Sequence, residues 1–198
     1  MDLQYYFTPV SPWAYLGHAR FCSIAKAAGA RVEVLPVDYG VIFPQSGGLP
    51  LAKRAPQRQA YRLVELMRFS EWLQVPLVLQ PKFFPVDGAP ASRLLVATQR
   101  AAGPQAALAL AGAMMKAVWA EERNLAERDT LAELLAEQPL AASLLAEADA
   151  PEATAGYGQN TQRALAAGVF GAPSYVVAGE IFWGQDRLEM LQRRLLRG

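Results

Sequence analysis

The chain is poor in the residues that most often carry enzyme chemistry. Its 198 residues include a single cysteine, Cys22, and a single histidine, His18. One thiol excludes an intramolecular disulfide, and one thiol with one imidazole leaves too few soft ligands for a structural zinc site, so no metal is expected. Neither sign of charge is in excess: 19 Lys+Arg stand against 18 Asp+Glu, a formal net charge of +1. No broad positive field is available to hold a polyanion, and nucleic acid is not an expected partner. Long apolar runs are missing too. The stretch from Ala106 to Met115 is far too short to cross a bilayer, and no membrane role is expected. The opening Met1-Asp2-Leu3-Gln4-Tyr5-Tyr6-Phe7 lacks the basic start, apolar run and small-residue cleavage site of an export signal, which makes a cytoplasmic location the expectation. What the chain does have is a 53% hydrophobic content with 19% charged residues, enough to build a substantial folded core.

The order of local signals suggests an α/β architecture. Tyr5, Tyr6 and Phe7 favour a strand. Ser11-Pro12 then combines an N-cap with proline at the first helical position, and the helix is expected to run through Trp13, Leu16, Ala19, Cys22 and Ile24 to Gly29. Arg31 to Asp38 alternates as a second strand. From Tyr39 to about Asn160 the β-branched runs give way to Ala, Leu, Glu and Arg at helical spacing, punctuated by Gly47-Gly48-Leu49-Pro50, Pro81 to Pro90, Gly103-Pro104 and Pro151. Within this block Thr130-Leu131-Ala132-Glu133 has the spacing of a capping box and predicts a helix start. Thr161 to Gly168 is expected to be helical. Ser174 to Val177 and Glu180 to Trp183 form a hairpin closed by Ala178-Gly179, and Gln185 to Leu196 form the last helix. The sum is βαβ, a helical block, then αββα. That is the order of a thioredoxin-like domain interrupted by an all-helical insertion, with residues 1–42 and 161–198 in the former and 43–160 in the latter.

In such a domain chemistry sits at the start of the first helix, where free N–H groups and the helix dipole stabilise a sulfur anion. Ser11-Pro12-Trp13-Ala14 occupies that place. With no cysteine in the motif, dithiol exchange through it is excluded, so any sulfur chemistry needs a thiol that arrives with a ligand. The Ser11 hydroxyl suits a hydrogen bond to that thiolate, although Ser-Pro is also an ordinary helix start; the two roles are compatible. Trp13 fits either the core or the site. Gly171-Ala172-Pro173-Ser174 precedes the hairpin. Either Pro173 is an ordinary trans proline, or a cis bond turns the Ala172 backbone toward the first helix, where it pairs with an extended ligand as an added strand. Gln185 and Asp186 stand before the final helix, as a cap or as partners for a carboxylate and an ammonium group. Arg54, Arg58 and Arg62 share one helical face, either solvated or forming an anion-binding wall. His18 is two turns from Ser11, about 10 Å by helical rise, too far to serve as its base. Cys22, in mid-helix, suits a small buried hydrophobe.

Together these segments resemble the 2-hydroxychromene-2-carboxylate isomerases and the related kappa-class glutathione transferases of the thioredoxin superfamily. The likeness covers nearly the whole chain. It rests on Ser11-Pro12-Trp13-Ala14-Tyr15-Leu16, Pro56-Gln57-Arg58 followed by Tyr61, Val118-Trp119-Ala120-Glu121, Gly168-Val169-Phe170-Gly171-Ala172-Pro173, and Gly179 to Leu188. The resemblance implies glutathione as cofactor. It places Ser11 at the glutathione sulfur, Ala172 before a cis Pro173 on the cysteinyl backbone, and Gln185 and Asp186 at the γ-glutamyl end. Pro12, Trp13, Pro56 and Arg58 are the further binding residues it implies. This chain has Ser46-Gly47-Gly48 where the family commonly has an asparagine, and Arg58 where a lysine is common.

The activity implied is cis/trans isomerisation of an aromatic enone by reversible thiolate addition, on a small aromatic substrate and in a homodimer. Phe83, Phe84 and Trp119 are candidates for the aryl pocket. Two other readings fit the same residues: a transferase that joins glutathione irreversibly to an electrophile, and a thioredoxin-like binding protein without catalysis.

Overall fold

The computed structural model describes residues 1–197. Strand β1 (Asp2–Phe7) is followed by α1 (Pro12–Ala27), β2 (Arg31–Pro36), α2 (Tyr39–Ser46), α3 (Pro56–Leu73), α4 (Ala89–Trp119), α5 (Arg128–Glu137), α6 (Leu144–Asp149) and α7 (Pro151–Ala166). The hairpin β3 (Ser174–Val177) and β4 (Glu180–Trp183) and the helix α8 (Leu188–Leu196) complete the chain. The strands lie in the order β2-β1-β3-β4. β1 and β2 are parallel, in register from Asp2 opposite Arg31 to Phe7 opposite Pro36. β3 runs antiparallel to β1, and β4 antiparallel to β3.

The period-two alternation of β1 divides its side chains between two cores. Leu3, Tyr5 and Phe7 face α1, α4 and α8, while Tyr6 faces the opposite core with Tyr39, Ile42 and Ala164 from α2 and α7. On the first face Tyr5 stacks on Phe7 at 4.3 Å and on Tyr175 at 5.4 Å between ring centres. The sheet is thus covered by helices on both sides, as a mostly apolar strand set requires. The hairpin is as expected from its turn: Ala178 (φ +50°) and Gly179 (φ +82°) both adopt the left-handed conformation of a two-residue connection.

Other elements depart from expectation. The bounds of 43 and 160 given to the insertion each fall inside a helix, α2 and α7. Helix α7 crosses the upper bound because it packs on the sheet: Asn160 Nδ2 donates to the Pro36 carbonyl at 3.4 Å and the Asp38 N–H donates to Thr161 Oγ1 at 3.0 Å. The Gly103-Pro104 break, by contrast, is where the sequence puts it: Gly103 (φ +85°, ψ 174°) is non-helical and divides α4 into two helices across a kink, and Leu94, Leu95, Leu110 and Met114 from its two halves enter the same core. Thr130 caps nothing and is buried inside α5. The turn that starts this helix is set one step earlier by Asn124, whose Oδ1 accepts the Ala126 N–H at 3.1 Å and whose Nδ2 donates to Glu127 at 3.0 Å. The last helix begins as a 3-10 turn, Gln185–Arg187, before α8.

Candidate active site

A cleft of about 840 Å³ opens between the start of α1, the α2 region, the arginines of α3 and its approach, and the loop before β3. Ser11 lies at its inner end. The local sequence dictates this: Pro12 has no N–H to satisfy and starts the helix, and Ser11, in extended conformation, is the N-cap. Its Oγ accepts the Ala14 N–H at 3.2 Å. A hydroxyl that accepts one bond still has its proton to donate, so the cap and a ligand contact use different parts of the same group. The Tyr15 N–H is satisfied by the Ser11 carbonyl at 3.0 Å. Among the described residues the Trp13 N–H has no partner, and it adds a donor at the positive end of the helix. The half-buried Trp13 ring lines the cleft and meets Phe69 edge-on at 5.9 Å.

Opposite Ser11, the Ala172–Pro173 peptide is cis. The Gly171 carbonyl accepts from the Tyr39 hydroxyl at 2.8 Å and from Ser174 Oγ at 2.7 Å, and the Pro173 carbonyl accepts the Gly184 N–H at 2.8 Å. These bonds hold the loop on both sides of Ala172. The N–H and C=O of Ala172 itself, in the wall of the cleft, have no partner among the described residues. The Trp183 ring packs closely over Gly171, where a Cβ would stand 2.3 Å from Nε1 unless the ring moved.

The far wall is basic. Arg54, Arg58 and Arg62 all line the cleft, but not as the one helical face expected: Arg58 and Arg62 lie on α3, whereas Arg54 precedes that helix in extended conformation, because Pro56 starts it. Among the described residues none of them pairs with a carboxylate. Arg62 stands 5.5 Å from the Phe84 ring centre and 5.7 Å from that of Trp119. Burial, with the nearby Arg54 charge, pulls its guanidinium down to about 10. Arg54 is lowered as well, by burial and by Arg58, and donates through Nε to the Leu49 carbonyl at 2.8 Å. Asp38 and Asp87, the carboxylates of the cleft, are engaged with backbone N–H groups of Gly40 (2.7 Å) and Ala89 (2.9 Å). Repelling guanidiniums without counter-charges make a site for anions.

Not every expected residue reaches the cleft. Gln185 is buried against α1, where its side-chain oxygen and its backbone carbonyl, the latter at 3.1 Å, both accept from Arg20. Asp186 pairs with Arg187 at 2.6 Å, with both side chains half exposed, and neither Gln185 nor Asp186 lines the cleft. Pro56 is exposed at the first position of α3, and serves by starting the helix that carries Arg58 and Arg62. Of the expected aryl-pocket residues only Phe84 lines the cleft. Trp119 is fully buried beneath Arg62, with Nε1 unpartnered, and Phe83 packs under Lys82 outside the cleft.

Residues to which the sequence analysis gave no role stand there instead, two of them, Phe170 and Trp183, within the segments that carry the resemblance. Phe170 and Trp183, 4.8 Å apart and both exposed, flank the mouth. The hairpin register, Trp183 opposite Ser174, places Trp183 beside the proline loop and is readable from the two-residue turn. Tyr157 also lines the cleft, its phenol pushed up to about 12 by burial and by Asp38; nothing in its local sequence marks it. His18 lies away from this cleft, with Nε2 3.0 Å from the Leu108 carbonyl and Nδ1 3.4 Å from the Tyr5 hydroxyl, and burial lowers it to about 4. Burial raises the Cys22 thiol to about 11.

Comparison with known proteins bears on the fold and the family. The chain is 28% identical to a 2-hydroxychromene-2-carboxylate isomerase of Sphingobium xenophagum over 196 residues, covering 98% of this chain and 97% of that one. It is 25% identical to the enzyme of the same name from Pseudomonas putida, covering 100% and 95%. A solved 2-hydroxychromene-2-carboxylate isomerase shares the fold with a TM-score of 0.83 at 24% identity, covering 100% of this chain and 95% of that one. The description "DSBA-like thioredoxin domain" matches residues 2–196, and the chain therefore belongs to the DSBA-like thioredoxin family.

Proposed function

We propose that the chain is a glutathione-dependent isomerase of the 2-hydroxychromene-2-carboxylate type. The observation that carries this reading is the pairing, in one cleft, of a serine at a helix start and an unpaired Ala172 backbone with an arginine wall that has no counter-charge. The names of the relatives supply the reaction class. The residues present fit an anionic tripeptide. Ala172 offers an N–H and a C=O for an extended backbone to pair with as an added strand. Ser11 and the Trp13 N–H would point donors at its sulfur. Arg54, Arg58 and Arg62 are available for carboxylates, those of the tripeptide or of an aromatic carboxylate substrate.

Glutathione supplies a thiolate that adds to a conjugated carbon, turns a double bond into a rotatable single bond, and leaves unchanged. The protein's part is to keep that sulfur ionised through the Ser11 proton and the helix start, to hold the substrate carboxylate against the arginines, and to enclose the aryl group between Trp13, Phe84 and Trp183. Gln185 is committed to Arg20 and has no part in this arrangement, and an ammonium group at Asp186 would compete with Arg187.

The test is turnover of the chromene substrate by purified protein with and without glutathione. Activity is expected only with glutathione, and millimolar glutathione is expected to raise the melting temperature by mass action. Turnover without glutathione overturns the reading. A stable conjugate accumulating in place of isomer moves the chain to the transferases. No thermal shift and no turnover moves it to the non-catalytic binding proteins.

A further inference from the structure

The cleft has a side that the proposed function leaves unused. Asp38 at the start of α2, Asp87 before α4 and Tyr157 of α7 form it, and its charge is opposite to that of the arginine wall. This side adjoins Ser11. A Cβ on Gly88, next to Asp87, would stand 3.2 Å from Val10 Cγ1 and 3.4 Å from Thr8 Oγ1, and the Ser11 N–H donates to the Thr8 carbonyl at 3.0 Å. The cleft is therefore bipolar: a carboxylate is drawn to the arginines and repelled from Asp38 and Asp87. A ligand with a carboxylate and a neutral oxygen can enter in one orientation only, with the neutral oxygen toward Tyr157.

Tyr157 is held in place through its backbone. Thr161 Oγ1 donates to the Tyr157 carbonyl at 3.0 Å and accepts the Asp38 N–H at 3.0 Å, which ties α7 to the chain leaving β2. One residue before it, Gly156 lets α7 approach α4, since a Cβ there would meet Val96 Cγ1 at 2.8 Å. Its hydroxyl, by contrast, donates to no acceptor among the described residues. Burial and the Asp38 charge push the phenol up to about 12, Asp87 acts in the same direction, and Ser92 and Arg93 oppose them. The phenol thus keeps its proton through neutral and mildly alkaline pH. Ser92 is fully buried, with Oγ lacking a partner at hydrogen-bond distance. It lies near enough to favour negative charge on the phenol, as a hydroxyl does when it offers its proton to the phenol oxygen. That leaves the proton of Tyr157 itself for the cleft.

We propose that Tyr157 is the hydrogen-bond donor to the substrate's carbonyl oxygen. For its chemistry this rests on the isomerase reading. The thiolate forms the C–S bond with its own electron pair, and the π electrons of the conjugated system shift so that the carbonyl oxygen carries the negative charge. Tyr157 meets that charge with an O–H bond that it keeps. The electrons return when the sulfur leaves, so no proton is consumed. A preorganised donor at the oxygen where charge develops is what the arginines, assigned to carboxylates, do not provide.

The test separates the donor from the reaction. Phenylglyoxylate and phenylacetate share a ring and a carboxylate and differ by a carbonyl in place of a methylene, so calorimetry with the purified chain reads the carbonyl contact without glutathione or turnover. The wild type is expected to bind phenylglyoxylate about 10-fold more tightly, the scale of one added hydrogen bond. Tyr157→Phe is expected to abolish that preference and to leave phenylacetate affinity unchanged, which also reports an intact cleft. In the full reaction the same variant is expected to lower kcat by about 10²-fold, while the thermal shift with millimolar glutathione stays as in the wild type. No preference in the wild type, a preference that survives Tyr157→Phe, or an undiminished kcat overturns the proposal. A wild type inactive with glutathione overturns the isomerase reading instead, and the two carboxylates then decide the role of Tyr157 by themselves.

Discussion

Helix α1 passes two cavities, and their contrast shows where chemistry can occur. The cleft at its N-terminus holds Ser11, Ala172 and the arginines. A second cavity of about 720 Å³, farther along the helix, is lined by His18, Cys22, Lys26, Gln105 and Leu108. By residue type this other cavity ought to be the more reactive, since it holds the chain's only cysteine and only histidine. Its groups are chemically silenced. Burial holds the Cys22 thiol near 11 and the His18 imidazole near 4, and the imidazole nitrogens are already taken up by Leu108 and Tyr5. In the first cavity ordinary residues retain what the others have lost: a proton on Ser11, an unpaired peptide at Ala172, unneutralised charge on Arg54, Arg58 and Arg62. If the proposed function holds, reactivity here follows unsatisfied capacity in a cleft more than residue type.

The largest expected effect tests the first cavity. On the proposed function, Ser11→Ala removes a donor to the glutathione sulfur, and loss of one such preorganised donor typically lowers kcat by about 10²–10³-fold. The same change removes the N-cap and costs about 1 kcal/mol of stability, so kcat is to be measured well below the melting temperature. Full activity in Ser11→Ala removes the contrast between the cavities and the mechanism with it.

Next comes a stability effect from the second cavity. His18 is lowered from 6.5 to about 4 in the folded chain, so the unfolded chain binds the proton first as pH falls. Above pH 6.5 both states are neutral and the group has no effect. Between about 6.5 and 4 the folded state loses stability at about 1.4 kcal/mol per pH unit, up to about 3 kcal/mol in total. In His18→Gln the slope of unfolding free energy against pH in this window should flatten. An unchanged slope would show that the imidazole takes up its proton in the folded state.

How far such features can be read from the sequence varies with how local their causes are. Ser11-Pro12 and Ala178-Gly179 are short-range signals, a cap with its proline and a hairpin turn, and the elements they bound stand where they are expected. Position before a helix points Gln185 toward the site, but its orientation is decided by Arg20, 165 residues away in the chain, and no local pattern reports that. Helix α7 contains Gly156 and Gly158, which weaken a helical pattern. At Gly156 tertiary contact asks for a small residue, since a Cβ would approach Val96 Cγ1 to 2.8 Å, whereas a Cβ on Gly158 would meet nothing within 4 Å and packing does not explain that glycine. Arg58 and Arg62 are legible as one helical face, Arg54 falls outside the helix because Pro56 starts it, and only the fold shows that all three line one cleft.

A smaller expected effect probes how tightly the first cavity is built. Gly171→Ala puts a Cβ 2.3 Å from Trp183 Nε1. Relief requires the Trp183 ring to swing away from the loop, and overpacking of this kind costs about 1–3 kcal/mol. Trp183 is 51% exposed and has room to move, which puts the expected loss at the lower end of that range. Chemical denaturation measures it, and a blue or red shift of tryptophan emission reports the displacement. A loss of stability with unchanged emission would place the strain in the loop backbone instead.

The smallest effect belongs to Cys22. If its thiol is a packing group, Cys22→Ala should leave turnover within about twofold and cost no more than about 1 kcal/mol, the scale of losing one small apolar group. The wild-type thiol gives an independent readout. With the thiol raised to about 11, the thiolate fraction at pH 8 is about 100-fold below that of a free cysteine, and alkylation by iodoacetamide should slow by a similar factor. Rapid alkylation that also abolishes turnover would make the second cavity functional and reverse the contrast. Slow alkylation with turnover intact would mean that the reaction does not use the chain's own thiol, so that any sulfur in it must come from outside the chain.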